Sequence, residues 1–252
     1  MKGMIFAAGL GTRLRPLTND RPKALVEVAG QPMLRHVIER FKQAGITEIV
    51  VNVHHFADKI IDYIRDNNYF GVTIHVSDER DYLLDTGGAI LKARRWLDGN
   101  EPFLVHNADI MTDLDLVALE REHIDSGAAA TLLVAPRKTS RYLLFDANFD
   151  MHGWTNVNTG EILPQGIDIT DLEKMAFGGI HILSPDAIYK LLSTFSADKK
   201  FSIISFYVKN CREIKIRGYL SPVSYKWVDI GRPETLAKAE AIFSGDTLQA
   251  FK

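Results

Sequence analysis

The sequence predicts an α/β protein: a three-layer α/β/α, Rossmann-like fold with a mixed, mainly parallel sheet and a small β-hairpin insertion. Three observations carry that expectation. Short apolar runs at residues 4–7, 48–53, 72–76 and 102–106 read as strands buried on both faces. Stretches with one apolar helical face separate them, which is the rhythm of right-handed β-α-β crossovers onto a parallel sheet. From about residue 139 the texture changes to short strand-like pieces divided by Asn, Asp and Gly turns, the pattern of a hairpin excursion.

Each element has a local reason. After the opening strand, residues 25–32 are a short extended piece ending in a turn, and Pro32 suits the first turn of a helix. In that helix, 33–44, the residues Leu34, Val37, Ile38 and Phe41 fall on one face, and Gly45 stops it. Residues 57–67 repeat the pattern through Ile60, Ile61 and Ile64, and 87–97 form a further helix. Residues 142–145 and 153–157 are the two arms of the hairpin. At 176–183 the chain returns to a buried strand, whose paired Gly178 and Gly179 point to close approach of a ligand. Ser184 is the expected N-cap of a helix opening at Pro185. A short helix at 203–209 and an edge strand at 213–219 follow, then a strand-and-turn at 227–231, and Pro233 starts a last helix to about Phe243.

A chain of 252 residues can bury a substantial core. Its formal charge of −2 argues against a general nucleic-acid binder, which makes the basic residues near the start local and purposeful. The single cysteine, Cys211, excludes an internal disulfide and any cysteine-based metal cluster, and fits a reducing cytoplasm. No run approaches the about twenty apolar residues of a membrane span, and the first apolar run is too short for a signal peptide. The expected setting is cytoplasmic, with no membrane and no nucleic-acid partner.

The chain is organised around Ala7-Ala8-Gly9-Leu10-Gly11-Thr12-Arg13-Leu14-Arg15-Pro16-Leu17-Thr18, closing with Arg21-Pro22-Lys23. Two glycines free the backbone to turn sharply behind a strand and bring amide N–H groups up to an anion. Arg13, Arg15, Arg21 and Lys23 follow, opposed only by Asp20. This is a phosphate loop, but not a dinucleotide fingerprint, which needs a glycine where Leu14 stands, nor a Walker loop, since Thr12-Arg13 follows Gly11. Gly9-x-Gly11-Thr12-Arg13 with Pro22-Lys23 behind it resembles the signature of the sugar-1-phosphate nucleotidyltransferases, the nucleotide-sugar pyrophosphorylases.

Two later segments extend the resemblance to both ends of the chain. Asn107-Ala108-Asp109 follows an apolar strand, and Trp227-Val228-Asp229-Ile230-Gly231 precedes a helix. Alone, each aspartate is an ordinary cap. Beside a phosphate loop they are two hard oxygen ligands of the kind Mg²⁺ takes together with phosphate oxygens. Both match the family's metal-binding aspartates, and the resemblance implies Mg²⁺ as cofactor on Asp109 and Asp229. It further implies Lys23 at the α-phosphate and Arg13 at the β- and γ-phosphates, as the catalytic pair. Ala8, Gly9, Gly11, Thr12 and Asn107 would contact the nucleotide, as would Gly87 and Gly88 of Thr86-Gly87-Gly88, whose lack of side chains lets a flat base lie on the backbone.

The Thr-Gly-Gly form, with Phe177-Gly178-Gly179-Ile180 later, is most similar to the short N-acetylmuramate-1-phosphate uridylyltransferases, with Gly179 facing the sugar. On that resemblance the chain is a single nucleotidyltransferase domain, 1–252, divided into a nucleotide-binding half at 1–135 and a sugar-phosphate-binding half at 136–252. Its substrates would be a nucleoside triphosphate and a sugar-1-phosphate, UTP with N-acetylmuramate-1-phosphate first, and its assembly a monomer or homodimer. Where many members carry Glu-Lys-Pro after the middle hairpin, this chain has Asn158-Thr159-Gly160-Glu161-Ile162. No hexapeptide repeats follow the last helix, so an attached acyltransferase domain is not expected. Guanylyl transfer to mannose- or heptose-1-phosphate is the alternative within the class, and a non-catalytic regulatory homologue the alternative outside it. His54 and His55 lack a third ligand at metal spacing, Trp154 reads equally as a hairpin aromatic or a sugar platform, and Lys92, Arg94 and Arg95 read as a solvated helix face.

Overall fold

The alternation of apolar runs and amphipathic stretches folds into an α/β protein with a mixed sheet, seen in a computed structural model that describes residues 1–194 and 200–244. In chain order the elements begin β1 (Lys2–Phe6), β2 (Glu27–Val28), β3 (Gln31–Pro32), α1 (Met33–Gln43), β4 (Glu48–Val53), α2 (Ala57–Asp66) and β5 (Thr73–Asp78). The middle holds α3 (Asp85–Leu97), β6 (Phe103–Asn107), β7 (Ile110–Thr112), α4 (Leu116–Ser126), β8 (Ala130–Ala135), β9 (Arg141–Phe145), β10 (Met151–Asn156) and β11 (Glu161–Leu163). The remainder comprises β12 (Glu173–Leu183), α5 (Pro185–Leu192), α6 (Ile203–Asn210), β13 (Ile216–Tyr219), β14 (Trp227–Asp229) and α7 (Pro233–Phe243). The chain gathers into two compact units, neither continuous in sequence. One comprises Met1–Leu83, His106–Asp115 and the stretch from Ser224 onward; the other comprises Leu84–Val105 and Leu116–Val223.

In the first unit β1, β4 and β5 pair in parallel, with Ile5 opposite Val51 and Val51 opposite Val76. The predicted apolar face of α1 is buried: Leu34, Val37, Ile38 and Phe41 pack inward. Gly3 is required there, because a Cβ on it would lie 2.4 Å from the Phe41 ring. The extended piece after the loop is the β2–β3 hairpin, turned by Ala29 and Gly30 at positive φ.

A small separate core explains how distant segments meet. Leu14, Val26, Val28, Met33, Met111, Val228, Ile230, Ala239 and Phe243 form one buried cluster. Thus Leu14 follows the loop's Arg13, Met111 follows Asp109 by two residues, and Val228 and Ile230 flank Asp229. Burying these apolar neighbours fixes the backbone that carries the polar ones. Leu14→Ala is expected to cost about 2–5 kcal/mol of unfolding free energy, as deletion of a fully buried leucine does; urea denaturation measures it. A loss under about 1 kcal/mol would show that this core does not hold the loop.

The second unit has the strand order β11-β10-β9-β12-β8-β13. Only β13–β8 is parallel among these pairs; β12 runs antiparallel to β9 through Glu173–Met175 and to β8 beyond Ala176. The hairpin insertion is present as β9–β10 and is extended by β11, which the sequence reading did not include. Nor did that reading assign α4 or β8. Helix α3 starts at Asp85 rather than Gly87. Ser184 sits at the N-cap position of α5 but makes no cap bond; its hydroxyl donates to the Ala128 carbonyl at 3.2 Å and accepts from His123 Nε2 at 3.0 Å. His123 Nδ1 in turn lies 2.9 Å from the Thr131 hydroxyl, so the imidazole is a buried, neutral tie among α4, β8 and α5. Burial lowers its pKa from 6.5 to about 4.

Candidate functional site

Parallel register sets the carboxyl ends of β1, β4 and β5 side by side, with Phe6 opposite Asn52 and Asn52 opposite Ser77. Ligands of open α/β sheets bind beyond such ends. Two of the polar side chains buried here bond to each other. Asn52 accepts the Ala7 N–H at 2.8 Å and donates to Glu79 Oε1 at 2.8 Å. Glu79 is held in turn, its N–H donating to the Val53 carbonyl at 2.7 Å and its own carbonyl lying 2.6 Å from His54 Nδ1. This network ends β1 at a fixed point and fixes the direction in which the next residues leave. The sequence reading missed both residues. The available signal was one amide at the end of the apolar run 48–53, where a buried polar group requires a partner.

The loop then emerges into solvent: Ala8 is buried, whereas Gly9, Leu10, Thr12 and Arg13 are exposed. Gly11 has φ +66° and packs so closely that a Cβ would stand 3.0 Å from both Lys23 Cβ and Thr18 Cγ2. Thr18 tethers the turn by donating its hydroxyl to the Gly11 carbonyl at 2.8 Å. The N–H groups of Gly9, Leu10 and Gly11 have no hydrogen-bond partner among the described residues. Unpaired donors gathered on an exposed turn, with cations beside them, are groups to which an anion can bind.

The charged residues sort onto neighbouring backbone. Lys23 is buried and its ammonium is ion-paired with the Asp109 carboxylate. Asp109 lies in the turn between β6 and β7, held where its carbonyl accepts the Ile230 N–H at 2.9 Å. Strand β14 pairs antiparallel with β7, Asp229 opposite Ile110. Because Val228 and Ile230 are buried at 3% and 0%, Asp229 between them is turned outward, and it is exposed. Gly231 leaves room for two opposite charges: a Cβ there would lie 3.1 Å from Arg13 Nη2 and 3.4 Å from Asp229 Oδ1.

The donor set fits a hard divalent cation. Among the described residues no group of three or more His, Cys, Asp or Glu gathers to hold a metal. A cation on Asp109 and Asp229 would therefore need further oxygens from water and phosphate, which is the habit of Mg²⁺ rather than of zinc. Asn107 is half-buried, with its carbonyl 2.8 Å from His106 Nδ1. His106 is fully buried and desolvation lowers its pKa to about 4, so it is neutral at pH 7. His54 and His55 are occupied by the Glu79 carbonyl and the Phe56 ring. Burial raises the Cys211 thiol, which leaves it protonated and unreactive.

Of the residues the sequence singles out, Ala8, Gly9, Gly11, Thr12, Arg13, Lys23, Asn107, Asp109 and Asp229 lie in the first unit, and Gly87, Gly88 and Gly179 in the second. In the second, the face of Gly87 is not bare: a Cβ would lie 2.2 Å from the Phe201 ring, and its N–H donates to the Phe201 carbonyl at 2.9 Å. Gly88 is buried in the first turn of α3. Gly179, at φ +74°, sits where the β12–β8 register shifts between Phe177 and His181, while Gly178 packs on Leu133. Lys92, Arg94 and Arg95 form the exposed face expected of them.

Comparison with known proteins gives the chemistry a context. Residues 2–244 match the nucleotidyl transferase family. The N-acetylmuramate alpha-1-phosphate uridylyltransferase of Caulobacter vibrioides is 32% identical over 247 residues, spanning 94% of this chain and 95% of that protein. The mannose-1-phosphate guanyltransferase of Kluyveromyces lactis is 28% identical, across 96% of this chain and 64% of that protein. In fold the chain is similar to the crystal structure of HddC from Yersinia pseudotuberculosis complexed with GMP-PN, at a TM-score of 0.75 and 24% identity, covering 96% and 99% of the two chains.

Proposed function

The chain belongs to the nucleotidyl transferase family, and on that premise we propose that it transfers a uridylyl group from UTP to N-acetylmuramate-1-phosphate, giving the UDP-sugar and pyrophosphate. The Caulobacter relative, matched nearly end to end, supports this substrate pair. The observation that carries the catalytic reading is the exposed turn of unpaired N–H groups, sharing one core with the backbone of Asp109 and Asp229.

A sugar-1-phosphate needs no general base, since its second pKa of about 6 makes it a dianion at neutral pH. What opposes reaction is repulsion between that dianion and the triphosphate, plus charge growing on the departing pyrophosphate. An oxygen of the sugar phosphate attacks the α-phosphorus in line, and the bond from that phosphorus to the α–β bridging oxygen breaks, with its electron pair leaving on pyrophosphate. In this reading the N–H groups of Gly9, Leu10 and Gly11 cradle the triphosphate, with Ala8, Thr12 and Asn107 around it. Lys23 neutralises the α-phosphate and Arg13 the β- and γ-phosphates as their charge shifts. Asp109 and Asp229 would hold Mg²⁺, which when bound supplies charge neutralisation of the phosphates. Gly88 is assigned to the base and Gly179 to the sugar, whereas the space at Gly87 is taken by the Phe201 ring.

Gly9 separates the ligand's requirements from the fold's. A methyl group added to its Cα would meet nothing within 4 Å, and its φ is not positive. Gly9→Ala is therefore expected to leave stability within about 0.5 kcal/mol while raising KM for the triphosphate roughly tenfold or more by blocking backbone approach. Unchanged KM would remove the loop from the binding site.

The Kluyveromyces relative favours guanylyl transfer to mannose-1-phosphate as the second reading. The deciding experiment is pyrophosphate release for UTP, GTP, CTP and dTTP, each against several sugar-1-phosphates with Mg²⁺. UTP with N-acetylmuramate-1-phosphate is expected to give the highest kcat/KM. A preference for GTP with mannose-1-phosphate would replace the first reading with the second, and no release with any pair would overturn both.

A further inference from the structure

The second unit contains a cavity of about 770 Å³ whose lining has a regular order. This lies within the range of about 300–1,000 Å³ usual for small-molecule sites. Its floor is one face of the three-stranded β9–β10–β11 sheet. Register places Arg141 opposite Asn156 and Asn156 opposite Glu161, so these three form a polar row across the strands. The next row on the same face is Leu143, Trp154 and Leu163, which is apolar. Helix α6 closes the other side through Ile204 and Val208. A half-buried indole beside a line of polar groups suits an amphiphilic ring with polar substituents on one edge.

The polar row has a defined hydrogen-bonding sense. The guanidinium of Arg141 has no ion pair or hydrogen bond among the described residues. The Asn156 side-chain oxygen is already used, accepting the Asn158 N–H at 3.0 Å, which leaves its NH₂ as a donor toward the cavity. Directly opposed residues of an antiparallel pair stand about 4.5–5.5 Å apart at Cβ, a spacing from which these two donors can reach one small acceptor together. Glu161 lies two strands from Arg141, roughly 10 Å away, and the two make no ion pair among the described residues. A planar cation and an amide NH₂ side by side are complementary to a carboxylate.

Of the acceptors weighed above, N-acetylmuramate-1-phosphate alone carries a carboxylate, on its lactyl ether. We infer that Arg141, seconded by Asn156, binds that carboxylate and sets the preference for the acidic amino sugar over its neutral counterpart. Trp154 and its apolar row receive the ring and the methyl groups, and Glu161 accepts a sugar hydroxyl. This assignment rests on the substrate pair proposed above.

The test compares N-acetylmuramate-1-phosphate with N-acetylglucosamine-1-phosphate, which has a hydroxyl in place of the lactyl ether, using UTP and pyrophosphate release. Arg141→Gln is expected to lower kcat/KM for the acidic acceptor roughly 10- to 100-fold, mainly through KM, as loss of a charge-paired contact does. It should leave the neutral acceptor within about twofold, since that substrate makes no use of the guanidinium. Arg141→Lys should recover part of the loss. Asn156→Asp keeps the oxygen that accepts from Asn158 but replaces the donor by a charge, so it should weaken the acidic acceptor selectively by a comparable factor. Equal losses on both acceptors, or no loss on either, would overturn the inference while leaving the enzyme's substrate pair intact. A wild-type enzyme without preference for the acidic acceptor would instead sink the substrate reading, and this inference with it.

Discussion

Lys23→Ala is expected to lower turnover by on the order of 10²–10³ while the protein still folds, the usual effect of deleting one preorganised charge from a phosphoryl-transfer site. The position of Lys23 makes the test sharp. Its aliphatic stem packs beside Gly11 and its ammonium meets Asp109, so it is held against the loop in advance of any ligand. The pair is only partly buried, with side chains 11% and 27% exposed, so losing one partner should cost stability about 1 kcal/mol rather than the several typical of an enclosed pair. Asp229→Asn gives a cleaner comparison. Asp229 is exposed, so stability should stay within about 0.5 kcal/mol, yet turnover should fall as far as for Lys23→Ala. Steady-state rates at several Mg²⁺ concentrations, beside urea denaturation of each variant, separate the two effects. Near-wild-type turnover in either variant would contradict the proposed roles.

Stability should fall steeply as pH drops from 6.5 toward 4. His106 and His123 are buried, one in each unit, and desolvation lowers both from 6.5 to about 4. Between those values the unfolded chain binds protons at these positions and the folded chain does not, so unfolding free energy rises with pH. Above pH 6.5 both states hold the histidines neutral and the contribution is complete; on acidification it is lost progressively through that window. Each shift corresponds to roughly 3 kcal/mol, which makes this the largest stability effect expected of a solution change. Thermal or urea unfolding followed from pH 7.5 to 4 measures it. His123→Gln, which retains one donor and one acceptor for Ser184 and Thr131, should flatten the slope in proportion. A wild-type profile already flat between pH 6.5 and 4.5 would refute the assignment.

Much of the architecture was readable because local pattern and tertiary demand agreed. Helix α1 announced itself by Leu34, Val37, Ile38 and Phe41, and those residues are the ones buried. The turn after β1 was readable because positive φ at Gly11 permits few residue types. Helix α4 was not, since Val117 and Ile124 are exposed at 44% and 62% while His123 faces inward, which blurs the amphipathic period. Strand β8, Ala130–Ala135, opens on the last of three successive alanines, and its short apolar run favours neither helix nor strand by periodicity. Gly87 shows a different limit. A missing side chain looks the same in sequence whether the space awaits a ligand or, as here, the ring of Phe201 from a distant segment. The polar row of Arg141, Asn156 and Glu161 was invisible for a related reason, because it exists only once three strands have settled into register.

The order of segments within the loop-bearing core has a bearing on biosynthesis. Leu14 and Val26 leave the ribosome early, but Val228, Ile230, Ala239 and Phe243, against which they pack, are among the last described residues to be translated. The core behind the cationic turn is therefore complete only once the chain has been made as far as Phe243. A nascent chain stalled before Trp227 would present those leucine and valine side chains to chaperones, and would lack both the acidic rung opposite Ile110 and the helix that follows it.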